Sequence, residues 1–211
     1  MSIDAENYVD LEGFRKHELI KEPFPYLVME NFVKPEKLTA VIQAYPDVGK
    51  PGSWPLRGLE YGAEFRDLIR VLEGEEVRKA FEDKYEMDLS SHPTMVTARC
   101  MCRAKDGRVH TDSRSKVITV LIYLNEKWEN DGGRLRLLHS DNLNDSIREV
   151  PPNSGTLVTF LNTTNAWHGH ESYSGPRRAI QLNWVQDQSV VEREQKRHRV
   201  SGFFKKINPL T

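Results

Sequence analysis

The ten residues KVITVLIYLN (116–125) decide the fold. They are β-branched or apolar almost throughout, and they are apolar on both alternating faces. Val117, Thr119, Leu121 and Tyr123 fall on one side, and Ile118, Val120, Ile122 and Leu124 on the other. A strand with two apolar faces belongs to a sheet covered on both sides. Working outward toward the C-terminus, RLRLL (134–138), REV (148–150), GTLVTFL (155–161), AWHGH (166–170) and RAIQLNWV (178–185) read as further short strands. Toward the N-terminus, TMVTARCMCR (94–103) reads as another. The turn signals KDG, NDGG, PPNSG and YSGP separate them. Short strands at this spacing predict a β-sandwich, barrel or jelly roll.

The first third supplies the cover. PFPYLVMENFV (23–33) predicts a strand at about 26–32. Pro35 opens a helix carrying Leu38, Val41, Ile42 and Tyr45, which Pro46 stops. DVGKPGSWPLRGLEYG (47–62) reads as loop. Phe65, Leu68, Ile69 and Leu72 mark a second helix, and Val77, Phe81 and Tyr85 a third. The segment from Gln188 is strongly basic and predicts a C-terminal helix. The expected class is α+β and mainly β, one domain over 1–211. Residues 1–91 form its support, 92–187 its core and 188–211 its basic tail.

Composition narrows the function classes. The chain has 211 residues, 38% hydrophobic and 29% charged, with no apolar run near the ~20 residues of a spanning helix, so no membrane role is expected. Thirty basic against 31 acidic residues leave a net charge of −1, without the basic excess of a nucleic-acid binder. MSIDAENYVD (1–10) resembles neither a secretory nor a transit segment. The only cysteines, Cys100 and Cys102, are poorly spaced for a disulfide, so a reducing, cytoplasmic setting is expected.

The chemistry lies among seven histidines. His17, His92, His139 and His198 lack a partner at metal-ligand spacing. His110 and Asp112 form an H-x-D pair before the strongest strand; in extended backbone they share a face and can share an ion. That pair alone is a weak signal. His168, 58 residues on, makes it two histidines and one carboxylate, the facial triad of non-haem Fe(II) oxygenases. Arg177 opens the last strand and is a natural fork for a carboxylate, to which Tyr123 can add a hydroxyl.

In order and spacing, H-T-D (110–112), I-Y-L-N-E-K-W (122–128), D-G-G-R-L-R-L (131–137), G-T-L-V-T-F (155–160), W-H (167–168) and R-R-A-I (177–180) resemble the iron(II)/2-oxoglutarate-dependent dioxygenases of the prolyl-hydroxylase-like branch. The resemblance runs from about Thr94 to Trp184 and implies a double-stranded β-helix, or jelly roll. It implies His110, Asp112 and His168 as catalytic iron ligands, with Fe(II), 2-oxoglutarate and O2 as cofactors. Arg177 then pairs with the C5 carboxylate of 2-oxoglutarate, beside Tyr123, and Leu135 lines its pocket. The nine-residue spacing to Arg177 and the preceding Trp167 favour His168 over His170 as ligand, which places His170 at the substrate. Loops 103–109, 126–133 and 139–148 are expected to frame the substrate entrance. Two features depart from the family pattern. The loop before His110 is short, leaving a tyrosine often found upstream without a counterpart, and Ala179 stands where some relatives have serine.

The activity implied is hydroxylation of an aliphatic C–H, with succinate and CO2 as coproducts. The partner is a small-molecule or peptide substrate, with a prolyl residue as the first candidate. The alternative is a non-catalytic jelly roll that senses a metal or carboxylate ligand, and an intact triad with Arg177 argues against it.

Overall fold

The computed structural model describes residues 3–194 and 196. The strand-rich half forms two antiparallel sheets facing one another. The larger contains β1 (Tyr26–Met29), β2 (Ser53–Pro55), β3 (Thr94–Cys102), β4 (Lys116–Tyr123), β7 (Leu157–Leu161) and β9 (Gly175–Val185), in the order β1-β7-β4-β9-β3-β2. The smaller contains β5 (Leu135–Leu138), β6 (Ser146–Val150) and β8 (His168–His170), in the order β6-β5-β8. This is the jelly-roll arrangement, α+β and mainly β.

The two faces of β4 divide as the sequence predicts. Ile118, Val120 and Ile122 join the large core between the sheet and the helices, whereas Tyr123, with Leu121 packed alongside, joins the core between the sheets. Val117 departs from the alternation. The register shifts between Lys116 and Ile118, and Val117 packs with the helix-side core.

The helices form one layer on the outer face. They are α1 (Leu11–Lys16), α2 (Pro35–Gln43), α3 (Ala63–Leu72) and α4 (Glu75–Tyr85). Phe81 of α4 stacks on Phe14 of α1 at 4.6 Å and meets Trp184 of β9 at 4.8 Å, tying the layer to the central sheet. Beyond the end of α2, the Tyr45 hydroxyl accepts from the Arg99 amide at 3.1 Å and lies 2.9 Å from the carbonyls of both Arg99 and Ala179. It thereby occupies the β-bulge between Arg99 and Met101.

Two predicted features change. Residues 47–62 are not all loop, since Ser53–Pro55 pair with Thr97–Arg99 as an edge strand. Helix α1, which its sequence did not announce, is capped by Asp10 accepting from the Gly13 amide at 2.8 Å. Residues 188–194 are helical, and Val190 and Val191 pack on Val185. The rest of the basic segment falls outside the described residues, apart from residue 196. Among the described residues, no helix is long and apolar enough to cross a membrane.

Candidate active site

One end of the space between the sheets is filled by Phe24, Tyr26, Val158, Phe160 and their neighbours. The other end is open and forms a cavity of about 430 Å³. Its walls are built by strand alternation. The pocket-facing residues of β9 are Arg177, Gln181 and Asn183; those of β4 are Thr119, Leu121 and Tyr123; β3 contributes Met95, Thr97 and Arg99.

His110, Asp112 and His168 meet on this cavity, with one ligand atom from each all within 4.8 Å of one another. Backbone pairing sets that distance, because His110 and His168 exchange amide-to-carbonyl hydrogen bonds of 3.0 Å as an antiparallel bridge. Each ring is then oriented by its own backbone. His110 Nδ1 lies 2.7 Å from the Arg108 carbonyl, and His168 Nδ1 lies 3.0 Å from the Ala166 carbonyl. A carbonyl accepts only from N–H, so each Nδ1 is a protonated nitrogen, which leaves Nε2 as the atom each ring can offer to a metal. Burial, which outweighs the pull of Asp112, lowers the His168 pKa to about 4 and keeps the ring neutral.

Asp112 is held as an anion. Burial acts to raise its carboxyl, but Lys116, His168 and Thr119 overcome that and set it at about 2. Lys116 Nζ stands 2.7 Å from Oδ1, and the Thr119 hydroxyl donates to Oδ2 at 2.5 Å. Thr119 Oγ1 is also 3.0 Å from the Asn183 carboxamide. A hydroxyl has one proton, and Asp112 takes it, so Asn183 is satisfied with its NH2 turned toward Thr119. Two imidazoles presenting Nε2 and an anionic, externally fixed carboxylate suit a divalent transition metal.

Arg177 lies in the same cavity and is buried. Its Nε donates to the Gly133 carbonyl at 2.7 Å, and its NH2 reaches the Tyr123 hydroxyl at 3.4 Å. Leu135 lines the cavity beside them.

His170 is not at an entrance. Along β5, Leu137 faces His168 and Leu135 faces His170, while Gly133 beyond them holds Arg177. The step from 168 to 170 therefore runs toward Arg177. His170 is buried there, 3.9 Å from Cys102 Sγ, with its pKa lowered to about 4 by burial and then by Arg177. The expected entrance loops need a matching correction. Arg103, Asp106 and Gly107 do line the cavity, but residues 126–133 and 139–148 do not. Trp128 instead packs on Tyr173 at 4.7 Å. Gly52 and Ser53 of the unanticipated edge-strand segment also line the cavity.

Sequence reading missed Arg99, Lys116, Thr119, Gln181 and Asn183. The last two carried a usable signal, since they continue the two-residue period that begins at Arg177.

Residues 97–186 match the model of the 2OG-Fe(II) oxygenase superfamily. These residues carry a 2OG-Fe(II) oxygenase domain. Solved structures share the fold. A prolyl-4-hydroxylase from Pseudomonas putida is 17% identical, with a TM-score of 0.55 over 88% of this chain and 97% of that one. A viral collagen prolyl hydroxylase from Paramecium bursaria Chlorella virus-1, solved with 2-oxoglutarate, is 13% identical, with a TM-score of 0.53 over 76% and 96%. A 2OG-Fe(II) oxygenase family oxidoreductase from Burkholderia pseudomallei is 10% identical, with a TM-score of 0.53 over 83% and 90%. No match is found among curated protein sequences. The oxygenase family implies Fe(II), 2-oxoglutarate and O2, and the donor set around Asp112 has the chemistry to hold such a metal.

Proposed function

We propose that this oxygenase hydroxylates an aliphatic C–H group of a small-molecule or peptide substrate, consuming 2-oxoglutarate and O2. The observation that carries the reading is the joint placement of His110, Asp112, His168 and Arg177 on one cavity. His110, Asp112 and His168 hold the iron through two Nε2 lone pairs and one carboxylate. Bound there, Fe(II) supplies the O2 activation that couples decarboxylation of 2-oxoglutarate, to succinate and CO2, with hydroxylation. Arg177 receives the C5 carboxylate. Its Nε is already spent on Gly133, so its remaining N–H groups and the Tyr123 hydroxyl face the cavity. Leu135 and His170 form the wall along the length of the cosubstrate, where buried surroundings exclude water from the charge pair. Thr119 and Lys116 keep the Asp112 carboxylate oriented and ionised.

The full chain acts in this reading as one catalytic domain, with 92–187 as its core and 1–91 as its support. A reducing, cytoplasmic setting agrees with Cys100 and Cys102, both free and buried. Because the solved relatives include prolyl hydroxylases, a prolyl peptide is the first substrate to assay. The test of the reaction itself needs no substrate. The purified protein with Fe(II), 2-oxoglutarate and air is expected to form succinate, and Asp112→Ala to abolish it. Succinate formation by Asp112→Ala at the wild-type rate overturns the assignment.

A further inference from the structure

The cavity floor is a grid of three paired strands, with cross-strand rows Met95–Asn183–Thr119, Thr97–Gln181–Leu121 and Arg99–Ala179–Tyr123. In the third row the central side chain is only a methyl group, so Arg99 lies along the floor with a small neighbour beside it. Its Nε donates to Ser53 Oγ of the edge strand at 2.9 Å. That contact fixes the plane of the guanidinium, and NH1 and NH2 make no hydrogen bond or ion pair among the described residues.

The other cations of the cavity are committed. Lys116 is paired with Asp112 at 2.7 Å and Arg103 with Asp106 at 3.0 Å. Arg177 is anchored on Gly133 and assigned to the cosubstrate. Among the described residues Arg99 has no carboxylate partner and, unlike Arg177, no assigned ligand. It shares the cavity lining with a second guanidinium: partial desolvation, and then the charge of Arg177, pull its pKa below the ordinary arginine value, although Arg99 is exposed to solvent. Arg99 therefore adds a second positive charge to the cavity and stays exposed, accessible to an anion that enters. 2-Oxoglutarate has its C5 carboxylate on Arg177 and its other end at the triad, which leaves Arg99 for a different molecule. Neighbouring hydrogen-bonding groups are open as well, because the Thr97 hydroxyl and the Gln181 carboxamide make no side-chain hydrogen bond among the described residues. Glu194 stands on the Met95–Thr97 side, lining both this cavity and the adjoining one.

We propose that Arg99 is a specificity-determining residue, which receives an anionic group (carboxylate or phosphate) of the primary substrate, while Thr97 and Gln181 hydrogen-bond the substrate's polar atoms. The substrate is then an anionic, polar molecule rather than an apolar one. Its fork of NH1 and NH2 suits either anion in a two-point contact. The inference rests on the oxygenase reading of the cavity.

The test uses Mn(II), which broadens the NMR signals of nuclei held near it. The full-length protein is loaded with Mn(II) and 2-oxoglutarate under argon. Acetate, acetamide and inorganic phosphate are then titrated in separate samples. Acetate or phosphate is expected to broaden well beyond acetamide, and Arg99→Met to weaken that binding about tenfold or more, as loss of a charged hydrogen-bond partner does. Arg99→Lys, which keeps the charge without the fork, is expected to fall between. Acetate acting alone identifies a carboxylate, and phosphate acting alone a phosphate. Equal broadening by acetate and acetamide, no effect of Arg99→Met, or no broadening by either anion overturns the proposal. So does an Arg99→Met variant whose main defect is 2-oxoglutarate binding, since that assigns Arg99 to the cosubstrate. Wild-type succinate formation separates the two levels: with it, a negative anion result sinks this inference alone; without it, the oxygenase reading falls first.

Discussion

Around Asp112, much of the proposed metal site lies in residues that would never touch the metal. Asp112 Oδ2 receives the Thr119 hydroxyl at 2.5 Å, which fixes the rotation of the carboxylate. Thr119→Val keeps the shape of the side chain and removes that donor. Outer partners of this kind change metal affinity by about 10–100-fold, so Fe(II) or Mn(II) binding, titrated without oxygen, is expected to weaken within that range. An unchanged metal affinity would show that Lys116 orients Asp112 alone. Arg177 belongs to the same scale. In the proposed binding mode Arg177→Leu removes the buried partner of a carboxylate, expected to cost ~2–5 kcal/mol of 2-oxoglutarate binding with metal affinity retained. Tyr123→Phe removes one neutral donor to a charged acceptor, expected to cost at most ~1.5–3 kcal/mol. Calorimetric titration of 2-oxoglutarate into the Mn(II)-loaded variants ranks them, and the reverse order would give Tyr123 the leading role.

At the scale of elements, legibility followed hydrophobic period. β4 was readable because both of its faces are apolar, and α2, α3 and α4 because Leu, Ile, Val and Phe recur at helical spacing. β2 was not. It is three residues long, contains Pro55, and sits at an edge where one row of backbone groups needs no partner; its pairing comes wholly from β3. The reach of His170 was misjudged for a related reason. Two residues along a strand fix a shared face, but the direction toward or away from Arg177 is set by the pairing of β8 with β5, which no local pattern encodes. Arg99 was hidden likewise, since only its pairing with Ala179 and Ser53 brings it into the site. The short segment before His110 illustrates an element built around a missing side chain. Gly107 has φ +79°, and a Cβ there would lie 2.2 Å from the His170 ring. Its carbonyl accepts from the His170 amide at 2.9 Å, three residues before the His110–His168 bridge. Gly107→Ala is expected to destabilise the protein by more than ~1 kcal/mol, from backbone strain plus displacement of His170. Since the same segment carries His110, metal affinity is expected to fall too. A thermal melt and a metal titration on one sample check both, and a full-stability variant would mean that the 103–109 segment moves freely of β8.

For the whole molecule, the two cores divide the labour. The larger, between helices and sheet, holds the central strands in place. The smaller, between sheets, fills one end and leaves the other for chemistry. Trp184 and Asn183 are adjacent on β9, yet Trp184 faces Phe81 in the helical layer while Asn183 lines the cavity beside Thr119. Such alternation lets a strand be anchored on one face without specifying what the other face holds. Phe81→Ala tests that separation. Phe81 is 1% exposed, stacks on Phe14 and packs at a tilt against Trp184, so its removal opens a void that rings on two sides cannot easily fill. The expected loss is ~3–5 kcal/mol, seen as a Tm lower by roughly 10 °C for a chain of this size. Well below that midpoint, the metal affinity of the folded variant is expected to match wild type, because neither the His110–His168 bridge nor the Asp112–Thr119 contact involves the helical layer. A metal affinity that falls with stability, at temperatures where the variant is folded, would mean that the helices set the geometry of the site through β9 and that the two faces of the sheet are coupled.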